Sequence, residues 1–264
     1  MTDFVLKGIH QEYRKGVESL TDIDVSIGCG EQVVIVGANG SGKSTFLKLL
    51  DGLVFPSAGE IIAFGAQLTE DALEDPDFRR AFRSRVGFVF QDADVQLFCS
   101  NAFDELAFGP LQLGLSEDEV RERVSQVAAA LRIEKLLDRA PYTLSGGEKK
   151  RVSIGAVLTM RPHVLLLDEP TGALDPRSQV WLLDVLADMK AAGDTVVIAT
   201  HDLSIAAEVA DRMIVLSEEH RVCADGTPEE VFALRDLLLE VNLIHEHAHR
   251  HLGEQHMHPH MHGV

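Results

Sequence analysis

The chain has no run of apolar residues approaching the ~18–20 needed to cross a bilayer as a helix. Its opening residues, MTDFVLKGIHQEY, hold no basic start followed by an apolar stretch and a small-residue cleavage site, so no secretory signal is expected. Work at a membrane would have to run through partner proteins. Cysteine is scarce: Cys29, Cys99 and Cys223 lie far apart and form no C-x-x-C. That sets aside a disulfide framework and a zinc site, and leaves free thiols in a reducing compartment. Positive charge is also short, with 24 Lys and Arg against 42 Asp and Glu and a formal net charge of −18. Nucleic-acid binding needs clustered cations to neutralise phosphates, so no nucleic-acid partner is expected. What the chain does have is apolar residues, 45 % of 264, enough for one substantial core with small lobes.

Those residues are patterned. Ile23, Val25 and Ile27 alternate with Asp22, Asp24 and Ser26, which predicts a strand with one wet face. Residues 32–36, QVVIV, are nearly all apolar and run into glycine, as a strand buried on both faces does. Similar runs recur at Val86–Phe90, Val164–Leu167, Thr195–Thr200 and Met213–Leu216, and helical patterns separate the later ones. Together they predict an α/β fold with a parallel sheet. Residues 92–160 read differently, as a mainly helical lobe. Ser116 and Glu119 form a capping box, and Val120, Val124, Val127 and Leu131 follow at helical spacing. Thr227, Pro228 and Glu230 start a C-terminal helix, to which Val231, Leu234, Leu238 and Val241 lend an apolar face.

Three motifs carry chemistry. Residues Gly37 to Ser44, GANGSGKS, fit G-x-x-x-x-G-K-[ST] after a predicted strand. Glycines let the backbone curl so that its N–H groups face a phosphate, Lys43 supplies a point charge to the β/γ-phosphates, and Ser44 suits Mg²⁺. A helix starting near Ser41 would aim its positive end at the same anion. Gly37, Asn39, Gly40, Ser41, Gly42, Lys43, Ser44 and Thr45 are therefore the phosphate-binding candidates. In HVLLLDEP an apolar strand ends on two carboxylates. Asp168 is placed to hold Mg²⁺, and Glu169 to take a proton from an attacking water. The third motif is LSGGE, Leu144 to Glu148, where Ser145, Gly146 and Gly147 open a helix and make an anion site without a lysine.

With LSGGE the chain resembles the ABC ATPase family, in which this pentapeptide is the signature. Glu148 stands where the commonest family pattern has Gln. The resemblance implies a P-loop (RecA-like) parallel-sheet core with an N-terminal antiparallel β subdomain and an inserted helical subdomain. The ATPase domain would be residues 1–225, followed by a C-terminal helix and tail, 226–264. It also implies roles for other residues that fall in family order. Tyr13, 24 positions before Gly37, would stack on adenine. Gln91 would sense Mg²⁺ and relay nucleotide state, Asp175 in Ala173–Leu174–Asp175 would lie on a loop bridging two subunits, and His201 would contact the γ-phosphate. Other phosphate-loop proteins fit less well. There is no N-K-x-D for a GTPase, a nucleotide kinase needs no LSGGE, and the 100 residues between Ser44 and Leu144 leave no room for a long coiled coil.

Residues Val86–Pro110 and Leu144–Leu158 further resemble the energy-coupling-factor branch of ABC importers. That branch implies a homodimer on the cytoplasmic face of the membrane. It would bind ATP and Mg²⁺ and join an integral-membrane coupling subunit and a substrate-binding membrane subunit. The cargo expected is a transition-metal ion, cobalt ahead of nickel; a vitamin importer, or an ABC ATPase not coupled to transport, is the alternative. The metal expectation draws support from the tail, which holds eight of the twelve histidines. His245, His247, His249 and His251 alternate. If the C-terminal helix continued through them, His245/His249 and His247/His251 would form i, i+4 pairs able to share a metal. His256, His258, His260 and His262 surround Pro259, which disfavours a helix there.

Overall fold

The computed structural model describes residues 1–14, 16–172, 174–251 and 254–261, with backbone alone at Arg14, Arg177 and from His245 onward. The chain divides into two compact units, residues 1–69 with 197–264, and residues 70–196.

The first unit opens with β1 (Thr2–Arg14) and β2 (Val17–Gly28), then β3 (Gln32–Gly37), α1 (Lys43–Leu50), β4 (Ala58–Ala63) and β5 (Ala66–Gln67). Strands β2, β1, β4 and β5 form an antiparallel sheet in that order. The alternation read in the sequence is realised there: Ile23, Val25 and Ile27 are buried, whereas Asp22, Asp24 and Ser26 are exposed. Every residue of β3 is buried.

The second unit holds α2 (Glu70–Glu74), α3 (Pro76–Arg83), β6 (Val86–Val89), α4 (Ala93–Gln96), α5 (Ala102–Gln112), α6 (Glu117–Ala130), α7 (Gly146–Leu158), β7 (Val164–Asp168) and α8 (Pro176–Ala192). Strands β6 and β7 pair in parallel, with Phe88 opposite Leu166. The expected helical lobe is present. Leu106 of α5, Val120 and Val124 of α6, and Val152 of α7 share one buried cluster with Leu131 and Ile133. Ser116 caps α6 through the reciprocal box with Glu119.

Strand β8 (Thr195–Thr200) returns the chain to the first unit, followed by α9 (Leu203–Val209), β9 (Arg212–Leu216) and β10 (Val222–Gly226). Here β3 lies parallel to β9, and β9 antiparallel to β10. This sheet segment packs Val33–Val36 and Met213–Leu216, all fully buried.

The C-terminus departs from expectation. In place of one helix there are two short ones, α10 (Pro228–Ala233) and α11 (Arg235–Glu240). The chain unwinds at Leu234 (φ −81, ψ 53), which rotates that side chain out to 45 % exposure while Val231, Leu238 and Val241 stay buried. Helix α11 does not continue into the histidines. Asn242 takes a left-handed conformation (φ 62), and Leu243 N–H donates back to the Leu238 carbonyl at 2.9 Å. That is the Schellman way of ending a helix, with asparagine in glycine's usual place. The i, i+4 histidine pairing is therefore not formed. Residues Ile244–His251 and Glu254–Met261 are instead two antiparallel strands, β11 and β12.

Candidate nucleotide site

Buried β3 delivers the chain to Gly37 at the mouth of the phosphate loop. Two glycines here are sterically required. A Cβ on Gly42, which sits at φ 109, would come within 2.2 Å of the Ser19 carbonyl oxygen, and one on Gly37 would meet the Leu216 carbonyl oxygen at 2.7 Å. Lys43 Nζ donates to the carbonyls of Gly37 (2.8 Å) and Ala38 (3.1 Å), so its charge spans the loop. Helix α1 begins at Lys43, two residues later than predicted, and no side chain caps it. A helix N-terminus with no capping side chain at Gly42 suits an incoming anion. The Ser41 hydroxyl is buried without a hydrogen-bond partner among the described residues, and a phosphate oxygen would satisfy it. Tyr13 is half exposed on β1, and its hydroxyl lies 2.9 Å from Thr45 Oγ1, which sets the ring beside the start of α1. His201 is exposed directly after β8.

In the second unit, β7 ends on Asp168, 5 % exposed, followed by Glu169, 8 % exposed. Glu169 has φ 42, an uncommon conformation for a residue with a Cβ and one that gathers at functional sites. Gln91 is exposed two residues after β6. Ser145 caps α7 in a reciprocal box: its hydroxyl accepts from Glu148 N–H (3.4 Å), and the Glu148 carboxylate accepts from Ser145 N–H (2.8 Å). That backbone hydrogen bond holds the Glu148 carboxyl below its ordinary range. The residue that departs from the family's commonest pattern is thus a cap, a task open to Gln or Glu. Asp175 caps α8 by accepting from Ser178 N–H at 2.8 Å; Ala173 lies outside the described residues.

One feature escaped the sequence reading. Lys150, on α7, is 2 % exposed, and its Nζ donates to the carbonyls of Phe90 (2.8 Å) and Gln91 (3.1 Å). Burial pulls its pKa down to about 8, against the charges of Asp168, Glu169 and Asp92. Beside it, Lys149 pairs with Asp94 at 2.5 Å, and Gln96 Nε2 donates to the Ser153 carbonyl at 2.8 Å. The signature helix and the Gln91 segment are therefore bound together by a row of contacts. The available signal was a Lys–Lys pair in a strongly acidic chain, but only packing tells which lysine is inside.

The chain matches the ABC transporter family over residues 20–172, more than half its length. It is 48 % identical to the nickel import ATP-binding protein NikO of Rhodobacter capsulatus over 91 % of this chain and 95 % of that one. It is 44 % identical to the cobalt import ATP-binding protein CbiO of the same organism, over 86 % of this chain and 80 % of that one. Among solved structures it resembles cbiO1 from Clostridium perfringens, part of the ABC transporter complex cbiONQ, with a TM-score of 0.76 and 37 % identity over 92 % and 95 % of the two chains. Phosphate loop, acidic strand end and signature helix thus stand on the expected fold, and the chain belongs to the ABC transporter family as an ATP-binding, ATP-hydrolysing subunit of the energy-coupling-factor type.

Proposed function

We propose that this chain forms a homodimer that powers import of a transition-metal ion, cobalt or nickel. The observation that carries the cargo is its identity to nickel and cobalt import ATPases, 48 % and 44 %, over most of its length. In the proposed cycle Lys43 neutralises phosphate charge and Glu169 accepts the proton of the attacking water. Ser145 with the start of α7 closes on the nucleotide held by the other subunit, while His201 contacts the γ-phosphate and Gln91 senses Mg²⁺ and relays nucleotide state. Catalysis is positioning plus charge neutralisation. Ser44, Asp168 and Gln91 would hold Mg²⁺; the set is oxygen only, which matches a hard cation. Tyr13 supplies the adenine face, and Asp175 the contact between subunits.

No described helix is long and apolar enough to cross a membrane, so transport requires membrane partners. The helical lobe offers a place for them. Val95, Phe98, Phe108 and Leu111 are exposed there, with the Phe98 and Phe108 rings in edge contact at 5.0 Å. Exposed apolar groups of this kind mark protein contacts.

The test is to purify the chain with the integral-membrane proteins that accompany it, reconstitute the complex in vesicles, and measure ATP-dependent uptake of radiolabelled Co²⁺ and Ni²⁺. Uptake of either ion that stops with Glu169→Gln is the expected result. ATP-dependent uptake of a vitamin instead would overturn the metal cargo, and failure of any membrane protein to co-purify would overturn the transport role.

A further inference from the structure

The histidine tail lies outside the residues assigned above to nucleotide chemistry, and its two segments pair in one register. In the β11–β12 register His245 faces His260, His247 faces His258, and His249 faces His256, while His251 faces Glu254. Facing residues share a face of a strand pair, and so do residues two apart. Seven histidines therefore occupy one face. Glu246, Ala248 and Arg250 occupy the other, with Gln255, Met257 and Pro259 as their register partners. The pattern depends on both segments having histidine at every second position and on the parity of the intervening residues; a one-residue slip would place the two sets on opposite faces. Residues 252–253 and His262 lie outside the described residues.

Facing positions in an antiparallel pair have Cβ atoms about 4.5–5.5 Å apart. Imidazole nitrogens bind first-row divalent ions at about 2.0–2.1 Å, so one facing pair can bracket one ion. Adjacent pairs along the strands are about 6.8 Å apart, twice the rise per residue, so two neighbouring pairs place four histidine positions on one face within that span. Two such four-histidine sets exist, 245/260 with 247/258 and 247/258 with 249/256, and they share the central pair. Imidazole suits Ni²⁺, Co²⁺, Cu²⁺ and Zn²⁺, not the hard Mg²⁺ of a nucleotide site.

We propose that the C-terminal strand pair is a second, separate metal site, taking a divalent first-row transition ion on the His247/His258 pair together with one neighbouring pair. That this ion is the transported one rests on the cargo proposed above; the binding does not. A silent tail on a metal importer and a metal-binding tail on a vitamin importer are told apart by running both tests.

The experiment is calorimetric titration of the full, untagged chain with NiCl₂, and separately with CoCl₂, near neutral pH. Binding tighter than about 10 μM is expected, Ni²⁺ ahead of Co²⁺. A variant carrying H245Q, H247Q, H249Q, H256Q, H258Q and H260Q should lose it while hydrolysing ATP as before. The register makes a finer demand. H247Q/H258Q removes a member of both sets, whereas H245Q/H260Q leaves one set whole. The central pair should therefore cost about tenfold or more in affinity, and the end pair far less. Absence of Ni²⁺ and Co²⁺ binding by the full chain, or unchanged binding by the six-glutamine variant, would overturn the site. Equal losses from the central and end pairs would overturn the strand-pair arrangement.

Discussion

The starts of α1 and α7 are both built from glycines around a serine, and both are proposed to meet a phosphate. They are finished in opposite ways. Helix α1 is capped by Gly42, which has no side-chain oxygen and accepts only through its carbonyl, from Phe46 N–H at 2.9 Å, and Lys43 brings a full charge. Helix α7 is capped by Ser145 and Glu148 in a reciprocal box, with no cation at the position equivalent to Lys43. The first end has no side-chain cap and supplies charge. The second is self-supporting and carries an acid that repels anions unless one arrives already neutralised. One is suited to hold phosphate, the other to close over a phosphate held elsewhere. That asymmetry supports the proposal that the two meet across a dimer.

Four sets of variants test this contrast. The largest effect is expected where neither helix end is touched. Glu169→Gln should retain ATP and lose about 10²–10⁴-fold in turnover, because an amide takes no proton at neutral pH. Near-normal hydrolysis would show that the two helix ends suffice without Glu169. Next, Lys43→Ala spoils the holding end and Ser145→Arg the closing end, and each should be inactive alone. Mixed, with heterodimers shown to form by tag-specific pull-down, they should regain up to about a quarter of wild-type activity, since random pairing makes half the dimers mixed and each has one intact composite site. No recovery in proven heterodimers would mean either that the sites are not shared between subunits or that both must work together.

A smaller effect is expected from Lys150→Met, which cuts the tie between α7 and the Gln91 segment. Hydrolysis should fall about tenfold in kcat with little change in KM, and Lys150→Arg should restore part of it. The pH dependence has a defined sign. Lys150 has a folded pKa near 8, below its ordinary 10.5, so the unfolded chain holds more protons between those values. This residue's contribution to stability should thus rise with pH from about 8 to 10.5, and the wild-type advantage over Lys150→Met in thermal melts should widen across that window. A constant difference would mean that the amine is not buried as described. The smallest effect belongs to Glu148→Ala. Loss of the capping box should cost about 1 kcal/mol, or about 2–4 °C in Tm, and Glu148→Gln should restore it.

Much of this was legible beforehand because it is local. QVVIV needs no partner to read as a buried strand, and the glycines, Lys43 and Ser44 follow it within one turn. Ser116, Ser145 and Thr227 each announce a helix start because the acceptor and the acid three residues on belong to the same short segment. The failures came where local pattern was not enough. The apolar stripe Val231–Val241 looked like one helix, but the unwinding at Leu234 and the stop at Asn242 depend on where the chain must go next.

By itself the sequence determined the phosphate loop, the acidic strand end, the signature and the alternation of histidines, since each rests on residue type and short spacing. Which residues come into contact across the sequence was settled by packing. It placed Lys150 inside and tied it to the Phe90 and Gln91 carbonyls some 60 residues earlier, while Lys149 reached the exposed Asp94. It set Tyr13 against Thr45, 32 residues on. It turned the histidines from helical i, i+4 neighbours into cross-strand pairs. The physical reason is the same in each case. Hydrogen-bond capping and backbone sterics act within a few residues, whereas burial and strand register are settled by segments remote in sequence, and a single chain's residue order carries no direct mark of which remote segment will arrive.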